Sequence, residues 1–533
     1  MNFIENNLIE GIKVSLKDLF DYDVADNFIM LEIPQRTEQG DYASNVAMRL
    51  TKELKKNPRE IAQAIVDSVK DLDMISKVEV AGPGFINFFI KPEVLAKVID
   101  NVLEQGATFG SSKAGNGEKV LVEYVSANPT GQLHVGHARG AAWGDALLRV
   151  LNFAGYKADG EFYINDLGNQ ITMLSHSLYA RYQQALNIDA ELPEDGYHAQ
   201  DIIDIAQEVL ELEGDVWLDK PQEEWEPYFK ELGIRFELER IKKDLKTFGV
   251  RMDNWVSEKS LYDEGRVVKG LEDLKAAGYT YEAEGALWFR STDFKDDKDR
   301  VLIKSDGSYT YLVPDISYHL YKMERGYDVL IDLLGGDHHG YIARMDAALQ
   351  AFGYVDAFEV DIIQMVRMIE DGVEVKMSKR TGNAIALTEL IDDIGLDAAR
   401  YFFVSRSLQT PLDFDLDLAR SQSNENPVYY AQYAHARISS LVKRVEGYTD
   451  PEVLDQLTHH KEIELLKMMN EFPGVVANTA ASRNIQNIPN YIQSLSQMLH
   501  SYYGEVKVND PSNMTLTSQR IKLLLAVQTT LRN

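Results

Sequence analysis

One unit of this sequence restricts the fold more than any other. Residues 119–126 have the apolar pattern of a strand, a loop follows with Asn128-Pro129-Thr130-Gly131, and a helical pattern over about 135–153 opens on His134-Val135-Gly136-His137. Strand, glycine-containing loop and helix opening form the first crossover of a doubly wound, parallel sheet that holds a nucleotide at the helix end. Two histidines three apart share one helix face, and Gly136 lets a ligand approach the backbone closely. Free N–H groups and the positive helix end suit phosphate, and imidazoles placed there can donate to nucleotide oxygens. Alone, the pattern fits half a zinc site or two surface histidines equally well. Apolar runs at residues 329–334 and 360–366 supply further parallel strands.

A second motif, Lys376-Met377-Ser378-Lys379, begins 239 residues after His137. It follows a strand-and-turn pattern containing Glu370-Asp371-Gly372, which puts the lysines on a loop. Two lysines flanking a small hydroxyl can clamp a triphosphate while its charge redistributes. Each motif is weak by itself, but their joint accidental occurrence is improbable.

The 533 residues suffice for three or four domains. Residues 1–110 start with an amphipathic helical periodicity (Phe3, Ile4, Leu8, Ile9, Ile12, Leu16) and contain two strand patterns around Ala81-Gly82-Pro83-Gly84, which suggests an α+β domain. Residues 110–117 resemble a linker, 111–420 contain both motifs, and 421–533 are helical in pattern. There is no cysteine, hence no disulfide and no thiolate zinc site. No leader pattern or membrane-length apolar run occurs, and a cytoplasmic protein without membrane contact is expected.

The formal charge of −29 argues at first against a polyanionic partner. The excess is uneven: residues 421–533 hold ten basic and ten acidic side chains, whereas residues 191–230 hold two and thirteen. The acidic stretch reads as a solvated helical excursion. A polyanion would be best tolerated where the balance is neutral; Tyr429, Tyr433 and Arg437 there have the chemistry to stack on splayed bases, with Tyr430 and Tyr433 equally compatible with ordinary core. A second basic cluster, Lys52, Lys55, Lys56 and Arg59, falls on one candidate helix.

The pairing of HVGH with KMSK resembles a class I aminoacyl-tRNA synthetase. The stretch from Glu123 through Asn128-Pro129-Thr130-Gly131 to His137, together with Glu161-Phe162-Tyr163-Ile164-Asn165-Asp166, Tyr309-Thr310-Tyr311-Leu312-Val313-Pro314-Asp315 and Gly336-Asp337-His338-His339-Gly340, narrows the likeness to the arginyl-tRNA synthetase family, of the bacterial type with an intact KMSK. The resemblance covers nearly the whole chain. It implies a multidomain α/β protein with a Rossmann-type catalytic domain, an N-terminal α+β tRNA-binding domain and a C-terminal all-helical anticodon-binding domain. It also implies ATP with Mg²⁺, L-arginine and tRNA(Arg) as substrates and partners, no zinc, and a monomer.

By that resemblance His134, His137, Lys376 and Lys379 are catalytic, and Asn128, Pro129, Thr130, Gly131, Gly136, Met377 and Ser378 join them in binding ATP. Glu123 and Asn128 hold the α-amino end of arginine and Tyr311 and Asp315 the guanidinium, although which acid takes which end stays open; Lys55 and Lys56 contact tRNA. The guanidinium is planar, permanently charged and carries five donors, so a selective pocket needs carboxylates in its plane. Such a pocket rejects analogues by roughly 10⁴ to 10⁵, which removes the need for a proofreading domain. The chain stops inside a helical pattern at Asn533 where members of the family usually continue, so a shortened C-terminus is expected. Two other readings stay open: a class I enzyme for another amino acid, and an inactive synthetase-like RNA-binding protein.

Overall fold

The computed structural model describes residues 3–25, 28–34, 39–336, 339–375 and 384–533. The chain divides into two compact units, one of residues 113–422 with 483–489, the other of residues 1–112 with 423–482 and 490–533.

The first unit is built on five parallel strands in the order Phe358–Ile363, Val329–Gly335, Lys119–Glu123, Lys157–Ile164, Asn254–Ser257. Helices cover a parallel sheet on both faces, and the central strand accordingly buries Val120, Leu121 and Val122 in succession. The chain starts at that central strand, moves out along one side and then crosses to the other. The crevice between Lys119–Glu123 and Val329–Gly335 is therefore the point where strand order reverses, and ligands of such sheets bind there. Helix Val135–Phe153 follows the central strand, with the bounds its pattern predicts. It packs closely because Gly144 has no side chain: a Cβ there would stand 2.2 Å from the Tyr124 ring.

Three expectations for this unit need adjustment. The central strand ends at Glu123, before residue 126, because Val125 (φ +71°) and Ser126 (φ +38°) turn into the left-handed region. The run at 360–366 divides between two sheets: Phe358–Ile363 is an edge of the parallel sheet, while Val366–Glu370 pairs with Leu412–Asp415 and, across a turn at Asp371 and Gly372, with Val373–Glu374. The acidic stretch is more than a solvated excursion. Helices Gln200–Glu213 and Gln222–Thr247 pack with Asn169–Ala185 over a core of Tyr182, Trp225 and Phe229, and Tyr179 stacks on Trp225 at 4.0 Å between ring centres.

In the second unit a four-stranded antiparallel sheet, in the order Leu31–Glu32, Tyr42–Ser44, Phe85–Ile90, Ile75–Ala81, packs with helices Phe3–Phe20 and Pro58–Val69. Helices Pro427–Val442, His460–Ser482 and Met514–Arg532 belong to the same unit. Lys467 pairs with Asp41 at 2.5 Å and Lys522 with Asp100 at 2.8 Å, joining the C-terminal helices to the N-terminal segment. The basic cluster does not share one helix. Helix Thr51–Leu54 ends on Lys55 in the left-handed conformation (φ +52°), and the next begins at Pro58, whose ring keeps Asn57 out of the helical region. Lys55 and Lys56 are both exposed. Among the described residues no helix is long and apolar enough to cross a membrane.

Candidate active site

The sheet's switch point carries two different environments. At the opening of Val135–Phe153, His134 is the N-cap, and its Nδ1 accepts the Gly136 N–H at 3.1 Å. His137 Nδ1 faces the His134 N–H at 3.4 Å, closing a reciprocal capping box, and the two rings lie 3.9 Å apart. With both Nδ1 atoms accepting, each neutral ring carries its proton on Nε2 as a donor. Burial lowers both imidazoles, His137 to about 4 with help from His134, so both are uncharged at neutral pH. Gly136 is exposed, and a Cβ there would come within 2.8 Å of the His134 ring. The preceding loop is compact: Pro129 is buried, the Thr130 N–H donates to the Asn128 carbonyl at 2.8 Å, and Gly131 is half-buried.

Lys376, Met377, Ser378 and Lys379 lie outside the described residues, as do Asp337 and His338. The residues that flank the lysine motif are placed. His134 forms an antiparallel bridge with Ala386, in which the Val135 N–H donates to Ile385 at 3.0 Å and the Leu387 N–H to Leu133 at 2.9 Å. Upstream, the buried Arg139 of the same helix donates to the carbonyls of Gln364 at 2.9 Å and Ser407 at 2.7 Å. Described residues on either side of the second motif are thus tied to the first motif or to its helix.

Beside this end lies a cavity of about 540 Å³. Tyr163, Tyr262, Tyr309 and Tyr311 wall it, Asn128 and Gln170 line its rim, and Asp315 and Glu258 face into it. Tyr311 and Asp315 stand one turn apart at the start of helix Leu312–Glu324, as their spacing predicts, although Tyr311 is 91% exposed. Burial pushes the Asp315 carboxyl up to about 6, with Glu123 adding to the shift, and burial together with Asp315 and Asp166 raises Glu258. Neither carboxyl has an ion-pair partner among the described residues. Asn128 donates to Gln170 at 2.7 Å. Glu258 belongs to no motif; the only signal was an acid directly after an apolar strand pattern, where Asn254–Ser257 leads into helix Glu258–Asp263.

Beneath the cavity, Glu123 and Asp332 are register partners on neighbouring parallel strands, two carboxylates side by side. Lys322, fully buried and two turns along the helix from Asp315, donates to Glu123 at 2.6 Å and to Asp332 at 2.9 Å. These carboxylates hold its ammonium above the usual range against the effect of burial. His319 completes the set through Asp332 at 2.9 Å. The second oxygen of Glu123 accepts from Ser126 Oγ at 2.8 Å. Each Glu123 oxygen therefore already accepts one hydrogen bond from within the chain.

In the other unit, Tyr429 and Tyr433 lie parallel at 6.2 Å, Tyr433 stacks on His500 at 5.5 Å, and Arg437 sits 4.2 Å over the Tyr503 ring. Tyr433 is exposed and Tyr430 half-buried, so the two tyrosines differ in availability. Also there, His459, His460 and Glu505 group three possible metal-ligand atoms, but His459 Nδ1 already accepts the Lys461 N–H at 3.2 Å.

A nucleotide-type helix opening at the switch point of a parallel sheet, bridged to residues that flank a distant second motif in sequence and lying beside an acidic cavity, defines a class I aminoacyl-tRNA synthetase catalytic unit. Residues 98–410 match the family of class I (R) tRNA synthetase catalytic domains, residues 6–90 the arginyl-tRNA synthetase N-terminal domain, and residues 431–533 the DALR anticodon-binding domain. The chain belongs to the arginyl-tRNA synthetase family. The arginine–tRNA ligase of Oceanobacillus iheyensis is 52% identical over 95% of this chain and 92% of the relative, and that of Staphylococcus carnosus 49% over 99% and 97%. Arginyl-tRNA synthetase of Thermus thermophilus shares the fold, with a TM-score of 0.76 at 22% identity over 99% of this chain and 97% of that one.

Proposed function

We propose that the switch-point crevice activates arginine with ATP and passes the arginyl group to tRNA, with its two environments dividing the work. The observation that carries this is a tyrosine-walled cavity into which two carboxyl groups, both raised by burial, face without an ion-pair partner among the described residues. A guanidinium supplies the missing charge and its donors match two carboxylates. Asp315 and Glu258 take the guanidinium, the tyrosines hold the side chain between them, and Asn128 meets the α-amino end at the rim.

The arginine carboxylate then attacks the α-phosphorus of ATP as the bond to pyrophosphate breaks. His134 and His137 donate Nε2–H to phosphate oxygens, the Gly136 backbone allows close approach, and Lys376 and Lys379 take the departing β- and γ-phosphates. In the second step a ribose hydroxyl of the tRNA 3′-terminal adenosine attacks the arginyl carbonyl and AMP leaves. No protein nucleophile is needed; catalysis is positioning and charge stabilisation. Magnesium enters with ATP. The imidazole and backbone N–H donors at the helix opening do not fit a cation, and no step here depends on protein ligation of the metal. Tyr429, Tyr433 and Arg437 offer stacking and charge to the anticodon, and Lys55 and Lys56 offer phosphate contacts.

Arginine-dependent ATP–pyrophosphate exchange, run with each amino acid and with or without tRNA, tests the reading. Exchange confined to arginine is expected. Exchange with a different amino acid, or none even with tRNA present, would overturn it.

A further inference from the structure

The chain between the central strand and the rim of the cavity is held in a conformation that its residues resist. The Ser126 N–H donates to the Tyr124 carbonyl at 3.1 Å across Val125, whose φ is +71°. This is a γ-turn of positive φ, a rare and strained form, and here its central residue is β-branched, the kind least suited to that region. Ser126 follows at φ +38°, so two successive non-glycine residues are left-handed. Strain of this kind persists only where the surroundings over-determine it, and it concentrates at functional sites.

Contacts around Ser126 and Glu123 hold it. Ser126 Oγ donates to Glu123 at 2.8 Å and accepts the Tyr163 N–H at 3.1 Å. The other Glu123 oxygen is held by Lys322 at 2.6 Å, and Lys322 lies on the helix that carries Asp315. Past the turn come the buried Ala127 and then Asn128 on the cavity rim.

The geometry points to Glu123 and Ser126 as positioning residues: a clamp, anchored on Lys322, that holds the strained turn at Val125 and so sets Asn128 against the arginine cavity. The clamp serves the proposed arginine site and rests on that reading. It gives Glu123 a different task from the one its place in the motif implies. Its carboxylate fixes the backbone that meets the substrate, and its charge is balanced from within by Lys322. The same ammonium ties the turn to the helix bearing Asp315, so the two ends of the bound amino acid are gripped by parts that share one buried ion pair.

The test uses pyrophosphate exchange on the full chain, with thermal unfolding as the check on folding. Glu123→Gln would orphan the buried Lys322 and confuse folding with function, so Ser126→Ala is the primary variant. It is expected to raise the KM for arginine and lower kcat/KM by about 10²-fold, the usual cost of misplacing a positioning group by about an ångström, with the KM for ATP and the unfolding midpoint near the parent. Val125→Gly removes the strain that the clamp opposes, because glycine accepts positive φ freely; Val125→Asn does so with less backbone freedom. Either change made alone should leave activity near the parent, and either combined with Ser126→Ala should recover most of the loss. Parent-like activity of Ser126→Ala overturns the proposal. So does a loss that neither Val125 change relieves, because the hydroxyl then acts on the substrate directly. In both cases exchange stays confined to arginine, whereas failure of the wider reading shows in the parent protein itself.

Discussion

At the end of the crevice proposed for arginine, Asp315 and Glu258 are carboxyls whose protons burial makes harder to lose; at the end proposed for the nucleotide, His134 and His137 are imidazoles that burial keeps from gaining one. One cause, withdrawal from water, gives opposite preparations. Raised carboxyls make a pocket that gains by admitting a cation. Neutral imidazoles make a surface of hydrogen-bond donors whose positive charge must come from elsewhere, a task the proposed function gives to the lysines of the second motif. On the proposed reading, one end of the sheet thus sorts a cationic amino acid from a polyanionic nucleotide.

Removing charge from one end only should break this contrast most severely. Asp315→Asn is expected to lower kcat/KM for arginine by roughly 10³ to 10⁴ while the KM for ATP holds, because the site's buried polar groups are left mismatched to the substrate. A comparable rise in both KM values would mean that the ends are not separate. At the other end Lys379→Ala should slow activation by about 10² to 10³ with little change in arginine affinity, read from single-turnover exchange.

Acid should separate the ends by titration. Asp315 is ionised above about 6 and protonates below it, so the KM for arginine should climb by up to about tenfold per pH unit under that value, while the KM for ATP stays level because His137 is protonated only near 4. A carboxyl raised in the fold costs the free protein stability at neutral pH, and the cost fades as pH falls through about 6. Arginine relieves that cost, so its stabilisation in thermal unfolding should be larger near neutral pH than in acid. Gly136→Ala should raise the KM for ATP about tenfold by displacing the His134 ring, yet leave stability level or slightly higher, since alanine suits a helix better. The smallest effect is expected from Lys55→Glu with Lys56→Glu, which should raise the KM for tRNA and leave the tRNA-independent properties of both ends untouched.

The helix Val135–Phe153 and its histidines were legible because a strand pattern, a glycine loop and helical periodicity agree there locally. Asp315 was legible through a motif and its four-residue spacing from Tyr311. Glu258 was not, because nothing near it in sequence says that the end of an outer strand reaches the same cavity. Nor was Lys322: a lysine in a helical pattern reads as a solvated face, and only the parallel register of Glu123 with Asp332 makes a slot for it. The aromatic core around Trp225 was hidden by the charge of the helices that carry it. Lys55 was misplaced because Pro58 breaks the basic run that looked continuous.

The bridge between His134 and Ala386 joins residues 252 positions apart. Closing a loop of that length is a late event for a folding chain, since local contacts form first and distant ones wait for the segments between them. During synthesis, the nucleotide end therefore cannot be completed until Ala386 has left the ribosome. The central strand, its helix and the neighbouring strand can form well before then. A chain released early would carry the HVGH helix with its own cap but without the bridge to Ala386, and would be folded in part and silent as an enzyme.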